Sequence, residues 1–517
     1  MNLIKATGTI GGLTMVSRVA GFAREMVMAR VLGAGFYTDA FLVAFRLPNT
    51  FRRLFGEGAF SAGFVPLYSQ RLQSHGEAEA RTFSEEVLAV FLPTLILFTA
   101  VFEIIMPALV AFMAGYQGDQ LSFATFLSRI TFPYLLLISL VSLFSGILNS
   151  LARFTAAAFA PALLNVAMLI ALVLVHEGGS ATATALAVAV TAGGVLQLGL
   201  LMAACKRAGI VLKVRRPRLT PAVRQFVRVV IPATFGAGVY QISVLIDVYF
   251  LTRIGTGAVS HFNYADRLNQ LPLGVIGAAL GTAILPQVSR FVDKGETGAA
   301  ARVQGQAAEL AMLLCLPAAI ALSVTALPLI SAIFEQGRFS AADAQSTALC
   351  LSLIALGLPA YVLVKVLTPG FYARRDTATP VKTAVFVLLA NVALNFALIP
   401  TFGLGGLAAA VAISSWLNCI ILYVILHWRG HFRVEGWLAS RLIRQLIAAA
   451  AMAAALYGIR ILLGDWFTAG GGLRFVAVAA LVGGGVAVYF PLVWLLGGTD
   501  KEELKSLFRR KPKAAAQ

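Results

Sequence analysis

Charged residues are scarce in this chain of 517 amino acids, where Asp, Glu, Lys and Arg together make up 12%. Soluble domains carry about 25%. Hydrophobic residues reach 59%, and the mean hydropathy is +0.85. The scarcity of charge excludes an ordinary soluble domain. The apolar runs recur at lengths of about 20 residues, which predicts an all-α polytopic membrane protein; barrel strands are only about 10 residues long.

Motifs for ligands and nucleophiles are also missing. The four cysteines stand singly, with no CxxC pair, so we interpret them as small apolar residues. The histidines form no ligand pattern, and the segment GEGAFSAG lacks the Lys and Ser/Thr of a P-loop. The sequence therefore predicts no cofactor, no metal and no enzymatic activity. It favours secondary transport or movement down a gradient.

Turn residues and charges divide the chain into fourteen predicted transmembrane helices. Their bounds are 4–31, 36–70, 85–113, 122–150, 157–176, 182–205, 222–252, 258–290, 304–334, 342–370, 380–399, 404–427, 439–463 and 473–497. On these bounds 28 of the 41 basic residues fall on one side of the membrane, and four fall on the other. Cytoplasmic loops carry the excess of Lys and Arg, so both termini are predicted in the cytoplasm. Orientation also explains the net charge of +18 without a nucleic-acid partner.

Two parts of the chain have similar sequences at an offset of about 220 residues. VLGAG matches RIGTG at an offset of 222, and ALAVAVTAGGVLQLGLL matches GLAAAVAISSWLNCIIL at an offset of 221. A repeat of six spans returns the chain to the same side, so the halves are predicted to be parallel six-helix lobes around a central cavity, with two extra C-terminal helices. The predicted domains are the N-lobe 1–208, a basic cytoplasmic linker 209–221, the C-lobe 222–430, spans 13 and 14 at 431–497, and a basic cytoplasmic tail 498–517.

Arginines lie inside the first predicted span. A charge at mid-bilayer costs at least about 2.5–3.5 kcal/mol, so such residues usually face a cavity. Arg18 and Arg24 are about 9 Å apart along the helix, and a watery cavity explains them better than snorkelling to the headgroups. Glu25, seven residues after Arg18, lies on nearly the same face and is the predicted partner of Arg18.

Polar residues continue in the second span and in the second lobe. Asp39, Arg46, Arg53 and Glu57 fall within about 40° of one line on an ideal helix. The second lobe contributes Asp266 and Arg267, and Lys365 lies in span 10. Arginine forks match phosphate oxygens in pairs, so a cation-lined cavity predicts an anionic substrate such as a diphosphate.

Four segments carry a family resemblance. They read SRVAGFARE, DAFxVAFRLPNxFRRLFGEGAFSxxFVP, YADRLxxLPxGVxGxALGTxxLPxxS and KVLxPGFYARxDTxTPVK. They resemble the MurJ (MviN) family of lipid II flippases, within the multidrug/oligosaccharidyl-lipid/polysaccharide exporter superfamily. The resemblance extends from residue 1 to about residue 500. It implies fourteen helices in two lobes, with the last two helices forming a groove for the lipid tail.

The resemblance also implies a function and its residues. Lipid II, an undecaprenyl-diphosphate-linked peptidoglycan precursor, would move from the cytoplasmic to the periplasmic leaflet of the bacterial inner membrane. Membrane lipids would be further partners, and cell-wall synthesis proteins are candidates. The implied diphosphate-binding residues are Arg18, Arg24 and Arg267. The candidate cavity and gating residues are Ser17, Glu25, Asp39, Arg46, Arg52, Arg53, Glu57, Asp266 and Lys365.

Two energy sources for transport remain possible from the sequence. An inside-negative potential favours outward movement of an anion by about 2.3 kcal/mol per charge per 100 mV, which predicts transport driven by membrane potential. Some family members hold sodium, and here its ligands would be Asp247, Asn391, Asn395 and Ser415. Hydrogen bonding between neighbouring helices is the alternative role for these four residues, and we favour it.

The alternative functions are a flippase for another polyprenyl-diphosphate-linked oligosaccharide, an exporter of cationic drugs, and a non-transporting scaffold of the cell-wall machinery. A drug exporter would need carboxylates in its cavity, and a scaffold has no need for arginines in mid-membrane.

Overall fold

The computed structural model describes residues 3–52, 59–467 and 472–499, and within these ranges it contains helices and no strand. The helices are α1 (Leu3–Leu32), α2 (Phe36–Arg52), α3 (Ala59–His75), α4 (Glu77–Ala114), α5 (Gly118–Thr131), α6 (Tyr134–Ser150), α7 (Thr155–Leu174), α8 (Gly179–Arg207), α9 (Pro221–Ile254), α10 (Ala258–Asp293), α11 (Thr297–Val324), α12 (Ala326–Phe334), α13 (Ala341–Ala355), α14 (Leu358–Tyr372), α15 (Ala378–Trp428), α16 (Gly436–Leu462) and α17 (Leu473–Leu496). The all-α prediction is confirmed.

Three of the predicted spans that the structure describes throughout are each broken into two helices. The span predicted at 122–150 is α5 followed by α6, and Pro133 stands between them. Proline lacks the N–H that a continuous helix requires, and its ring clashes with the preceding turn. The spans predicted at 304–334 and 342–370 are likewise α11 with α12 and α13 with α14. Apolar composition gives the length of such a crossing but does not locate the break inside it.

The longest helix, α15, contains a sharp bend. Gly403 has φ 53° and ψ −127°, and the helices before and after it have different directions at this point. This backbone conformation is open to glycine and strained for other residues. The two predicted spans 380–399 and 404–427 meet at this bend, so the turn signal at glycine located their boundary.

Nine helical stretches in the described residues are long and apolar enough to cross a membrane. They are Glu77–Ala114, Gly118–Ser150, Thr155–Leu174, Gly179–Arg207, Thr297–Val324, Ala341–Tyr372, Ala378–Trp428, Gly436–Leu462 and Leu473–Leu496. Large apolar side chains on α4 are exposed, with Ile104 at 76% and Phe112 at 71%. Exposed apolar faces of this extent are what hydrocarbon covers in a membrane. The chain is a multi-pass helical membrane protein.

Contacts within the described residues divide the chain into two compact units. Unit 1 covers the residues up to Ser260 together with Gln336–Ser340, and unit 2 covers His261–Glu335 and the residues from Ala341 onwards. The division falls one helix after the lobe boundary predicted from the repeat, because α9 packs against α3 and α4. The repeat-based lobes remain a prediction.

In unit 1, α7 packs between α1 and α8, while α3 packs against α4, α6 and α9. Stacked and edge-on aromatic rings fill the space around α3, where Phe64 contacts Phe60, Phe83 and Phe226. The predicted linker is held to α4 by one buried carboxylate, because Glu85 accepts hydrogen bonds from Lys213 N (3.1 Å) and Arg215 Nε (2.7 Å).

In unit 2, α11 lies between α14 and α16, and α17 packs on α16. Apolar side chains of α11, α16 and α17 form one buried cluster. Polar contacts join α16 to α11 near both ends: Arg441 Nη1 lies 2.7 Å from Glu309 Oε2, and Arg460 Nη1 donates to the carbonyl of Val324 at 3.5 Å. The last two helices are therefore attached to unit 2 by charge as well as by apolar packing.

Candidate functional site

Arg24 is the most deeply buried of the predicted arginines whose side chains the structure describes, with 6% of its surface exposed. It lies where α1 packs on α7. Its guanidinium forms an ion pair with Glu25, and Nη1 donates to Asn165 Oδ1 at 3.0 Å and contacts Met168 Sδ at 3.5 Å. Among the described residues, Arg24 Nε is buried and has no hydrogen-bond partner. The guanidinium therefore keeps one donor for a group from outside these residues.

The predicted pairing of Glu25 with Arg18 is wrong. Glu25 is 1% exposed and pairs with Arg24, whereas Arg18 is exposed and forms no hydrogen bond with the described residues. A buried carboxylate needs a partner in its own dry surroundings. Packing of α1 on α7 buries Glu25 and Arg24 together, and this packing overrides the helical spacing on which the prediction depended.

Asn165, on α7, was missed by the sequence analysis. Its Oδ1 accepts from Arg24, and its Nδ2 donates to the carbonyl of Ser17 at 3.1 Å. Gly21 faces the same amide, and a Cβ added there would lie 3.4 Å from Asn165 Nδ2. The available signal was an isolated amide in the apolar run of α7, since polar residues inside spans are costly and usually have a role.

Asp39, at the start of α2, binds the start of another helix. Its carboxylate accepts hydrogen bonds from Gly257 N (2.6 Å), from Ser260 N (2.8 Å) and from the Ser260 hydroxyl. These donors lie at the N-terminus of α10, where free backbone N–H groups and the helix dipole favour a negative charge. Asp39 is thus a buried acceptor that ties α2 to α10 rather than part of an open polar stripe.

The remaining span 2 residues are only partly described. Arg52 Nε donates to Asn49 Oδ1 at 3.0 Å, and Arg46 is half-buried. The predicted residues Arg53 and Glu57 lie outside the described residues.

The predicted residues of unit 2 lie on α10 and α14. Asp266 and Arg267 are half-buried, and Gln270 Nε2 donates to the Asp266 carboxylate. Lys365 extends toward α10, where a Cβ added to Gly277 would lie 2.8 Å from its Nζ. Glycine at 277 therefore leaves the space that the lysine side chain occupies.

The candidate cation ligands of α15 make hydrogen bonds within α15. Asn391 Nδ2 donates to Ser414 Oγ at 3.2 Å, Asn395 Nδ2 donates to Asn391 Oδ1 at 3.1 Å, and Ser415 Oγ donates to the carbonyl of Val411. The Asn391–Ser414 bond joins the two arms of α15 across the bend at Gly403. The other two bonds each lie within one arm, and both the cation role and the role in helix association stay predictions. Asp247 lies on α9, in unit 1.

A second group that sequence reasoning missed is the tongue, defined as Gln336–Ser340. It follows α12 and precedes α13 of unit 2 but packs within unit 1. Arg338 N donates to the carbonyl of Arg30 at 2.9 Å, and Arg338 Nη2 donates to the carbonyl of Glu177 at 2.5 Å.

Glycines make room for the tongue. Gly33, Gly178 and Gly337 all have positive φ, and a Cβ on each would lie 2.5 Å or less from an atom of Arg338 or Arg30. Arg338 is one of the four basic residues that the charge count placed on the less basic side. The count used it as an orientation marker and could not show its contacts.

Comparison with known proteins agrees with this fold. The family model described as "Lipid II flippase MurJ" matches residues 28–474. The chain is 40% identical over 529 residues to a "Probable lipid II flippase MurJ" of Rhizobium meliloti (strain 1021), covering 100% of this chain and 98% of that protein. It is 37% identical over 508 residues to the "Lipid II flippase MurJ" of Burkholderia cenocepacia, covering 96% and 98%.

Solved structures show the same fold. The structure described as "Lipid II flippase MurJ, inward closed conformation" has a TM-score of 0.78 at 22% identity, covering 97% of this chain and 99% of that one. An inward-facing multidrug resistance transporter of the MATE family has a TM-score of 0.65 at 15% identity and covers 81% and 97%.

The nine helical stretches of the described residues that are long and apolar enough to cross a membrane, together with a fold shared with solved transporters, define a multi-pass helical membrane protein. Within that class, the chain belongs to the MurJ family of lipid II flippases.

Proposed function

We propose that this protein moves lipid II from the cytoplasmic to the periplasmic leaflet of the bacterial inner membrane. The observation that carries the proposal is Arg24, a buried guanidinium inside α1 whose Nε has no hydrogen-bond partner among the described residues. An unmade hydrogen bond of this kind costs about 1–3 kcal/mol, and a phosphate oxygen would remove that cost. Family membership supplies the identity of the phosphate carrier.

The diphosphate would be bound by Arg18, Arg24 and Arg267. Arg18 is exposed on α1, so its donors are accessible to a ligand, and Arg267 is half-buried on α10. Asn165 and Glu25 would hold the Arg24 side chain in place, since both contact its guanidinium. Ser17, Asp39, Arg46, Arg52, Arg53, Glu57, Asp266 and Lys365 remain proposed cavity and gating residues.

The proposed topology has fourteen membrane crossings, with two parallel six-helix repeats, two further helices, and both termini in the cytoplasm. The length of α15 supports two crossings there, because 51 residues at 1.5 Å each extend about 77 Å, more than twice a hydrocarbon core of about 30 Å. The excess of basic residues on one side supports the orientation. The lobes 1–208 and 222–430, the linker 209–221, the groove helices 431–497 and the tail 498–517 complete the arrangement.

Transport would proceed by alternating access with the membrane potential as its energy source. A diphosphate cannot pass through hydrocarbon unaided, whereas a shielded cationic cavity lets the headgroup cross while the lipid tail stays in the membrane. The potential would drive the loaded, more negative site outward and return the empty cationic site inward.

Purified protein in proteoliposomes with fluorescent lipid II tests the proposal. Arg18→Gln should reduce flipping at least about tenfold, because a charge-assisted bond to phosphate is lost, and should leave the melting temperature unchanged because Arg18 is exposed. Arg24→Gln alone would remove the ion-pair partner of the buried Glu25, at a cost of about 3–5 kcal/mol. The double variant Arg24→Gln/Glu25→Gln removes both charges and separates transport from folding.

Arg302→Gln is the matched control, because Arg302 is exposed on α11. Normal flipping by folded Arg18→Gln and by the folded double variant would refute the diphosphate role. Absence of flipping by the folded wild-type protein would favour a non-transporting scaffold. Flipping of another polyprenyl-diphosphate-linked sugar at a higher rate than lipid II would favour the alternative flippase.

A further inference from the structure

The loops that follow α14 and α15 contain a cluster of basic groups that the proposed function does not use. Arg374 follows α14 in the motif PGFYARRDT, while Arg429 and His431 follow α15. We define Arg374, Arg429 and His431 as the loop cluster. It lies entirely in unit 2.

Asp376 holds the two loops together. Its Oδ2 accepts from Arg429 Nη1 at 2.6 Å and from Thr379 Oγ1 at 2.6 Å, and its Oδ1 accepts from Thr379 N at 2.9 Å. The hydrogen bonds from the Thr379 hydroxyl and backbone, followed by that from Arg429, hold the pKa of Asp376 well below its usual range. The Asp376 carboxylate is therefore ionised, and its charge is matched by Arg429.

Two nitrogen atoms of the loop cluster have no hydrogen-bond partner among the described residues. Arg374 Nη1 donates to the carbonyl of Gly370 at 2.7 Å, but Arg374 Nη2 is buried and lacks a hydrogen-bond partner among the described residues. His431 Nδ1 is likewise buried and lacks a hydrogen-bond partner among the described residues. Burial lowers the pKa of His431, and the nearby charges of Arg374 and Arg429 lower it further. The charges of Arg374 and Arg429 are therefore close enough to His431 to disfavour its protonation. No carboxylate of the described residues forms an ion pair with Arg374.

We propose that the loop cluster binds the phosphate group of an anionic membrane phospholipid. A phosphate presents several acceptor oxygens and negative charge, which would accept hydrogen bonds from Arg374 Nη2 and His431 Nδ1 and offset the charge of Arg374. Trp428, 81% exposed at the end of α15, fits the headgroup level, where tryptophan is enriched. Basic pockets between membrane helices on the cytoplasmic side bind lipid headgroups in this way.

This site is separate from the arginines of α1 and α10, and its test does not depend on lipid II. Purified full-length protein in neutral detergent is titrated with phosphatidylglycerol, with phosphatidylcholine, or with inorganic phosphate, and its melting temperature is followed by tryptophan fluorescence. Phosphatidylglycerol should raise the melting temperature saturably, and phosphatidylcholine should not. Arg374→Gln should raise the half-saturating concentration about tenfold, because one charge-assisted hydrogen bond is lost.

Arg433→Gln is the matched control, since Arg433 is exposed on the same loop. His431→Gln gives a second test if Arg374→Gln fails to elute as a folded monodisperse species. Saturable stabilisation by inorganic phosphate, lost in the same variants, would support the phosphate site and identify a soluble phosphate as its ligand. Equal responses of wild type, Arg374→Gln and His431→Gln to both anions would overturn the proposal.

Discussion

At the scale of single residues, His431 makes the stability of unit 2 depend on pH. Burial and the charges of Arg374 and Arg429 lower its pKa below the ordinary value of about 6.5. A histidine whose pKa is lower in the folded state is protonated more readily when the protein unfolds. Stability is therefore complete above pH 6.5 and decreases as the pH falls below that value toward the folded pKa.

We predict that the melting temperature in phosphate-free detergent falls between pH 7.5 and pH 5, and that His431→Gln reduces this fall. The measurement is thermal unfolding across the pH series. His176→Gln, at an exposed histidine, is the control. An unchanged pH dependence in His431→Gln would contradict the assignment.

Residue types could be predicted from sequence better than their partners. The cost of charge in hydrocarbon singled out Arg24, which the structure buries. The predicted ion pair is wrong, because helical spacing pairs Glu25 with Arg18, whereas Glu25 forms its ion pair with Arg24. Asn165 is 141 residues from Arg24, and only the packing of α7 on α1 brings them together. Spacing within one helix carries no information about such a contact.

At the scale of elements, the tongue depends on glycine. Gly337 has φ +61°, and a Cβ there would lie 2.3 Å from the carbonyl oxygen of Arg30. Gly118 has φ +56° with no atom within 4 Å of an added Cβ. Both positions impose the left-handed strain of about 1–2 kcal/mol on alanine, but only Gly337 adds a backbone clash.

We predict that Gly337→Ala lowers the melting temperature more than Gly118→Ala does. Arg338→Ala should also lower it, because the bond to the Glu177 carbonyl is lost. Trypsin cleavage after Arg338 provides a second readout for the two glycine variants, which keep this arginine, since a displaced tongue would be cut faster. Equal melting temperatures of the two glycine variants would show that the tongue is not held as the structure indicates.

The ends of helices could be predicted from sequence where turn residues such as glycine mark them. Gly403 separates two predicted spans and is the bend in α15. The tongue between α12 and α13 could not be predicted, because its sequence resembles an ordinary loop and its contacts lie more than 160 residues away.

At the scale of the whole molecule, the proposed energy source makes a prediction about polarity. Proteoliposomes with a valinomycin-imposed potential should flip lipid II faster toward the positive side, with the rate decreasing when the potential is collapsed. The difference arises because each charge moved gains about 2.3 kcal/mol per 100 mV. The proteoliposomes should be prepared both with and without sodium.

Arg302→Gln should respond to the potential as wild type does, which controls for reconstitution. A flipping rate that is independent of both the size and the sign of the membrane potential would refute this coupling. A rate that instead requires sodium would restore Asp247, Asn391, Asn395 and Ser415 as candidate ligands.

The attachment of α16 to α11 bears on attempts to shorten the chain. A protein ending before α16 would retain Glu309, 1% exposed in the full chain, but would no longer supply the Arg441 guanidinium. Glu309 would then lose the ion pair that offsets the burial of its charge, and breaking a buried pair by removing one partner is strongly destabilising. The C-terminal helix pair is consequently not a removable accessory, and a minimal version of this transporter would have to replace Glu309 first.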